Sequence, residues 1–223
     1  MNKFLWNLKR QFGYIDKMII QDYFNTQDRF KLHIGCGSNT HNDWLNSDYF
    51  PESNKILHLD ATEVFPFSSG TFDYIFSEHM IEHISYSQGF NMLNECYRIL
   101  TENGKIRIST PDFKFLNDLY IENKSDLQKE YIKWSIDNFI QDAPYYDSIF
   151  VINNFVRDWG HLFIYDEKTL RLLLEKAGFS KIVRCNLNES EDIELQDLEN
   201  INRLPKGFLK LESITLEATR LKN

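Results

Sequence analysis

Residues 31–51 read "KLHIGCGSNTHNDWLNSDYFP". A short β-like run ends in Gly35-Cys36-Gly37, and a second run, "WLNSD" (44–48), ends in an acidic residue. Glycines lack a Cβ, so two of them in three positions let the backbone turn left-handed and approach a ligand closely. The stretch is either a nucleotide-cradling loop or a tight turn followed by a helix cap. A lone GxG pair is a weak signal, so the choice rests on the residues at the ends of the other strands.

Further β-like runs are "KILHL" (55–59), "FDYIFS" (72–77), "KIRIST" (105–110), "KIVRC" (181–185) and "SITLEA" (213–218), with "FKLHI" (30–34) at the start. Helical spacing predicts helices over 80–100 and 167–177. In the second, Asp166 caps the first turn, Leu170, Leu173, Leu174 and Ala177 form an apolar stripe, and Gly178 ends it. Strands alternating with helices predict an α/β fold, a mostly parallel, doubly wound sheet with helices on both faces. No repeat, low-complexity tract or Pro/Gly-rich linker divides the chain. Its 223 residues, 42% apolar, suit one domain carrying an inserted cap.

Ligands of open α/β sheets bind beyond the carboxyl ends of the strands, at the switch in strand order. There the sequence offers Gly35, Cys36 and Gly37, then Asp48 and Tyr49, then Asp60 and Ala61. Next come Ser77, Glu78 and His79, and last Thr110, Pro111 and Asp112. A carboxylate after the second strand can accept from both hydroxyls of a ribose. A carboxylate and a small residue after the third suit the edge and face of an adenine. Each position alone has a structural explanation. Five strand ends in order favour the ligand loop.

The segments "LHIGCGSN", "NSDYFP", "LDATEVFPFSSGTFDYIFSEHMIEHI", "NECYRILTENGKIRISTPD" and "YDEKTLRLLLEKAGF" resemble, in order and spacing, the class I S-adenosylmethionine-dependent methyltransferases. The resemblance is to their small bacterial branch and covers about 30–180; "SITLEATR" suits the family's last strand. It implies a Rossmann-like seven-stranded sheet with an antiparallel last strand, and S-adenosyl-L-methionine as cofactor. It implies that Gly35, Cys36 and Gly37 approach the methionine part, that Asp48 with Tyr49 takes the ribose, and that Asp60 and Ala61 meet the adenine. Ser77 and Glu78 would line the site beside the sulfonium. Bacterial proteins of this look often act on sugars, so the resemblance implies an O-methyltransferase of small or glycan-related acceptors in surface-polysaccharide or sugar metabolism. A non-catalytic module of the same fold, binding the cofactor or a partner, is the alternative.

The chain departs from the wider family at His33, where an acidic residue is common, and at Asn39, which replaces a third glycine. Asp48 also lies only eleven positions after Gly37. A parallel crossover normally takes a dozen or more residues, usually with a helix. The spacing therefore predicts a compact loop as the first crossover.

A rival motif, "HMIEH" (79–83), fits the inverted zinc-peptidase pattern. No downstream acid stands out as a third ligand, and no metal is expected. If the acceptor is a hydroxyl, a base must take its proton, and His79 and His161 are the candidates for that catalytic role. The long aromatic stretch 113–165 predicts a helical cap between strands five and six. Tyr145, Tyr146 and Trp159 are expected mainly in the cap's own core.

Composition narrows the partners. The net charge of −8 with scattered Lys and Arg argues against nucleic acid. Three distant cysteines without a CxxC pair suggest a reducing, cytoplasmic setting. No apolar run is long enough to span a bilayer. At residues 1–29, Phe4, Leu5, Leu8, Phe12, Ile15 and Ile19 recur at helical spacing. The expected element is a helix packed on the core or on a second subunit in a homodimer; an interfacial membrane helix is the alternative, and few basic residues support it.

Overall fold

The computed structural model describes residues 13–221. Helix α1 (Tyr14–Thr26) leads into strand β1 (Lys31–Ile34), followed by β2 (Leu45–Asp48), β3 (Leu57–His58), β4 (Phe72–Glu78), α2 (Tyr86–Ile99) and β5 (Leu100–Pro111). Three helices come next: α3 (Phe113–Tyr120), α4 (Asp126–Phe139) and α5 (Ser148–Arg157). The chain closes with α6 (Glu167–Lys176), β6 (Ser180–Cys185), α7 (Phe208–Glu212) and β7 (Ser213–Thr219). The seven strands form one sheet in the order β3-β2-β1-β4-β5-β7-β6, with β7 antiparallel to both its neighbours. This is the Rossmann-like arrangement expected. Strand order reverses between β1 and β4, so the ligand crevice belongs at their carboxyl ends.

Side chains alternate across each strand, which gives the sheet two different faces. On one, Leu32, Ile34, Ile75, Ile106, Ile108 and Leu216 pack against Met92, Leu93 and Cys96 of α2 and Leu170, Leu173 and Leu174 of α6. The opposite face carries His33, Phe76 and Arg107; where a doubly wound sheet is expected to carry α-helices here too, residues 186–200, with a single 3₁₀ turn at Ile193–Leu195, cover it instead. Leu195 and Leu198 of that segment pack on Phe76 and Trp44. The Arg107 guanidinium is fully buried there. It donates to the Glu199 carboxylate at 2.7 and 3.0 Å, to Glu217, and to the carbonyls of Asn186 and Glu189. Burial pushes His33 down to about 3, so its ring is a neutral packing group against Phe76.

The first crossover is a compact loop, as the spacing predicts. Asn46 takes the place of a helix within it: its amide accepts from His41 N and donates to the carbonyls of His41 and Trp44. The helix expected over 80–100 starts later, at Tyr86. His79 is left-handed (φ 47°), and a single 3₁₀ turn covers Ile81–His83. Ser85 and Gln88 then build a capping box that sets the start of α2. Helix α6 matches its expectation: Asp166 accepts from Thr169 N at 2.7 Å, and Gly178 is left-handed at φ 101°.

Helices α3, α4 and α5 form the cap. They share an apolar cluster that includes Phe115, Leu119, Tyr131, Ile136 and Phe155, which Phe208 of α7 joins. Tyr145, Tyr146 and Trp159 are not in that core; they are 62%, 57% and 43% exposed, because they sit on the links flanking α5. Of the N-terminal helix expected over 1–29, residues 1–12 lie outside the described residues. Within α1, Ile19, Ile20, Tyr23 and Phe24 pack on the main core. Among the described residues no helix is long and apolar enough to cross a membrane.

Candidate active site

Beyond the carboxyl ends of β1 to β4 lies a cleft of about 640 Å³. Gly35, Gly37, Asp48, Tyr49, Asp60, Ala61 and His79 all line it. Four separate strands deliver these residues to one place.

The glycine loop is shaped by its neighbours. Gly35 has φ 71°, and a Cβ there would lie 2.3 Å from Cγ of Met80. Only glycine fits, because the chain leaving β4 crosses directly over it. Gly37 has φ 50° and open space where a Cβ would be. Its N–H donates to Oδ2 of Asp48 at 2.9 Å, and Oδ1 of Asp48 accepts from Phe50 N at 2.7 Å. The carboxylate thus ties the loop to the end of β2 and keeps lone pairs for a further donor. Asp60 works similarly at the end of β3, where Oδ1 accepts from the N–H and hydroxyl of Thr62.

Three of the expected residues do not line the cleft. The buried Cys36 thiol turns back on the Gly37 carbonyl at 3.4 Å, and burial pushes it up to about 12. Ser77 is buried in β4. Glu78 points under the β1–β2 loop, where Asn39 Nδ2 and Asn200 N donate to it; burial raises its pKa. Alternation along β4 puts Ser77 on the same face as Ile34 and Glu78 on the face of Phe76, and Met80, beyond the strand, lines the cleft instead. Met80, Thr62, Gln88 and Leu162 are lining residues the sequence reading missed. A long apolar residue just past β4 was the available signal for Met80.

A second cavity of about 260 Å³ adjoins the first. Aromatic residues of the cap (Trp134, Phe139, Trp159) and the polar groups of Arg203 and Glu212 line it, together with His79, Glu82, His83 and His161. His79 and His83 line both cavities. The two histidines expected at the acceptor are therefore brought to one chamber, and His79 reaches the larger cleft as well. Burial, and after it the nearby charge of Arg203, holds His79 well below its ordinary value. Its Nε2 lies 2.8 Å from Oγ of Ser213 and its Nδ1 3.4 Å from Oε1 of Glu82. His161 Nδ1 is 2.6 Å from the Phe155 carbonyl, so that nitrogen carries the proton and Nε2 is left unprotonated.

The peptidase reading of "HMIEH" needs both histidines on one face of an α-helix. The chain is left-handed at His79 and only 3₁₀ at Ile81–His83, so that geometry does not form.

The cleft suits S-adenosylmethionine. Its volume falls in the range of about 300–1,000 Å³ usual for small-molecule sites, it has a carboxylate at the end of β2 and another at the end of β3, and its glycine loop has backbone open to the cavity.

A family model described as a methyltransferase domain matches residues 41–108. No curated protein matches the chain in sequence. In fold the chain is similar to an S-adenosylmethionine-dependent methyltransferase from Archaeoglobus fulgidus, with TM-score 0.52 and 15% identity, over 98% of this chain and 100% of that one. It is also similar to a possible exported protein from Bordetella parapertussis, with TM-score 0.51 and 11% identity, over 96% of this chain and 68% of that one. Strand order, cleft and the match of residues 41–108 to a methyltransferase domain agree, and together they support a class I S-adenosylmethionine-dependent methyltransferase with S-adenosylmethionine as its cofactor.

Proposed function

We propose that the enzyme methylates a hydroxyl of a small or glycan-related acceptor, in surface-polysaccharide or sugar metabolism. The observation that carries this reading is the pair of adjoining cavities sharing His79 and His83. The smaller is rimmed by exposed or half-buried aromatic faces, which suit the apolar faces of a sugar ring. Arg203 and Glu212 beside them suit its hydroxyls. Free cysteines at Cys36, Cys96 and Cys185 support a cytoplasmic setting.

When bound, the cofactor supplies a methyl group activated by a sulfonium. The chain's own residues bind, orient and exclude water. Gly35 and Gly37 give backbone access, Asp48 accepts from the ribose hydroxyls, and Asp60 with Ala61 meets the adenine. Tyr49, half-exposed at the rim, covers the ribose side. The cap, with α7, closes the acceptor chamber. Residues 1–223 work as one unit in this reading, since cap and sheet each supply part of the chamber. Alignment of this kind lowers a displacement barrier by several kcal/mol.

The donor half is tested by calorimetry with S-adenosylhomocysteine. Asp48→Ala should weaken binding by about 2–3 kcal/mol, because charge-assisted hydrogen bonds to the ribose and to Gly37 are both lost. Unchanged affinity would remove Asp48 from the ribose. The acceptor half is tested by transfer of label from methyl-labelled cofactor to panels of sugars, nucleotide sugars and amines. Incorporation into amines alone would overturn the hydroxyl assignment.

A further inference from the structure

Glu82, His83 and His161 bring a carboxylate oxygen and two ring nitrogens within 4.8 Å of one another. The donor reading gives none of them a role, although His83 also lines the larger cleft. Glu82 is fully buried. Its Oε2 accepts from the Thr110 hydroxyl at 3.0 Å, while Oε1 has no hydrogen bond at all. That oxygen lies 3.4 Å from His79 Nδ1 and 4.0 Å from His83 Nε2. A buried carboxylate oxygen left unpaired is costly unless the group takes up a proton or a positive charge meets it.

The surroundings hold these groups in position. Leu162 N and Phe163 N both donate to the Glu82 carbonyl, at 2.8 and 3.1 Å, which pins the segment carrying His161 onto the turn carrying Glu82. His161 gives its Nδ1 proton to the Phe155 carbonyl, leaving Nε2 as a donor of electrons. Fixing one ring nitrogen on a backbone carbonyl is how proteins orient a histidine that ligates a metal. The His83 side chain is 39% exposed, so the cluster opens towards the cavities.

We propose that Glu82, His83 and His161 bind a divalent transition-metal ion whose open positions take the acceptor hydroxyl. Two imidazoles and one carboxylate form a mixed nitrogen–oxygen set with a single negative charge. Imidazole suits zinc, iron and nickel, and the carboxylate extends the range to manganese. Ligand bonds of about 2.0–2.2 Å require the three groups to draw together when the ion binds. The ion would stand where the two cavities meet, hold the acceptor oxygen facing the donor, and make its hydroxyl more acidic. The inference rests on the donor reading above, and it makes His161 a ligand rather than a base. It also departs from the expectation that no metal is involved: the downstream ligand is a histidine that the motif at 79–83 does not contain.

Untagged protein, stripped with a chelator, should be titrated calorimetrically with Mn²⁺ and with Zn²⁺, and its metal content measured after dialysis. S-adenosylhomocysteine binding is measured on the same samples. The expected result is one ion per chain, with affinity lowered at least about tenfold to 100-fold by His161→Ala and by Glu82→Gln, given that even outer partners of ligands have effects of that size. Asp48→Ala should leave ion binding unchanged while weakening S-adenosylhomocysteine. Thermal melting checks that each variant is folded; His161→Ala, at a partly exposed ring, keeps the test open if Glu82→Gln does not fold. No stoichiometric ion, or binding indifferent to both substitutions, overturns the site while S-adenosylhomocysteine binding leaves the donor reading standing. Ion binding with no S-adenosylhomocysteine binding overturns the donor reading and with it the acceptor role of the ion.

Discussion

Gly35 shows how tightly a single residue is specified. Its left-handed backbone excludes most side chains, at about 1–2 kcal/mol for an L-residue. The approach of Met80 excludes even a methyl group, since the added atom would sit 2.3 Å from Cγ. Met80 must shift to admit alanine, and Met80 is a wall of the cleft where the cofactor is proposed to bind. Gly35→Ala should therefore lower stability in urea unfolding by at least about 1–2 kcal/mol and weaken S-adenosylhomocysteine binding as well. Gly37→Ala shares the backbone cost but meets no neighbour within 4 Å. A Gly35→Ala protein as stable as the parent, with the same affinity, would show that the loop has more freedom than this packing allows.

At the scale of elements, the turn from β4 into α2 decides what faces the site. Between the end of β4 and Tyr86 the chain makes a left-handed turn at His79, a 3₁₀ turn and the Ser85 cap. That detour carries His79, Met80, Glu82 and His83 into the cavities. The cap holds the far end of it: Ser85 accepts from Gln88 N, and Gln88 Oε1 accepts from Ser85 N at 3.0 Å. Ser85→Ala should cost about 1 kcal/mol, read in chemical denaturation, and amide exchange should quicken first at residues 85–88. A loss spread evenly over the helix would count against the cap as the anchor. The "SYSQ" pattern before an apolar stripe was a readable helix start; the apolar spacing of Met80 and Ile84 masked it.

At the scale of the whole molecule, one buried cation ties the sheet to the segment that covers it. Arg107 of β5 reaches Glu217 of β7, Glu199 of residues 186–200, and two carbonyls of the same segment. Removing it leaves Glu199, which is fully buried, and Glu217 without their partner. Arg107→Met should destabilise the protein by about 3–5 kcal/mol. Glu217→Gln, which leaves Arg107 paired with Glu199, should cost much less. Urea unfolding of both variants decides it: equal losses would mean that the ion pair is not what holds the segment.

Local pattern was enough for the strands, the capped helix α6, the compact crossover and the residues that end β1, β2 and β3. Each of these is written in neighbouring positions: apolar runs between turn residues, a cap with its stripe, glycines and carboxylates directly after a strand. Hence Gly35, Gly37, Asp48, Tyr49, Asp60 and Ala61 were legible, and all of them line the cleft. The placement of Cys36, Ser77 and Glu78 depended on which side of the strand or loop each side chain takes, and a one-residue change of phase reverses that. The meeting of Glu82 and His83 with the distant His161 was not written locally at all. It exists because the Leu162 and Phe163 amides close on the Glu82 carbonyl, a long-range contact that forms only when the cap is folded against the sheet.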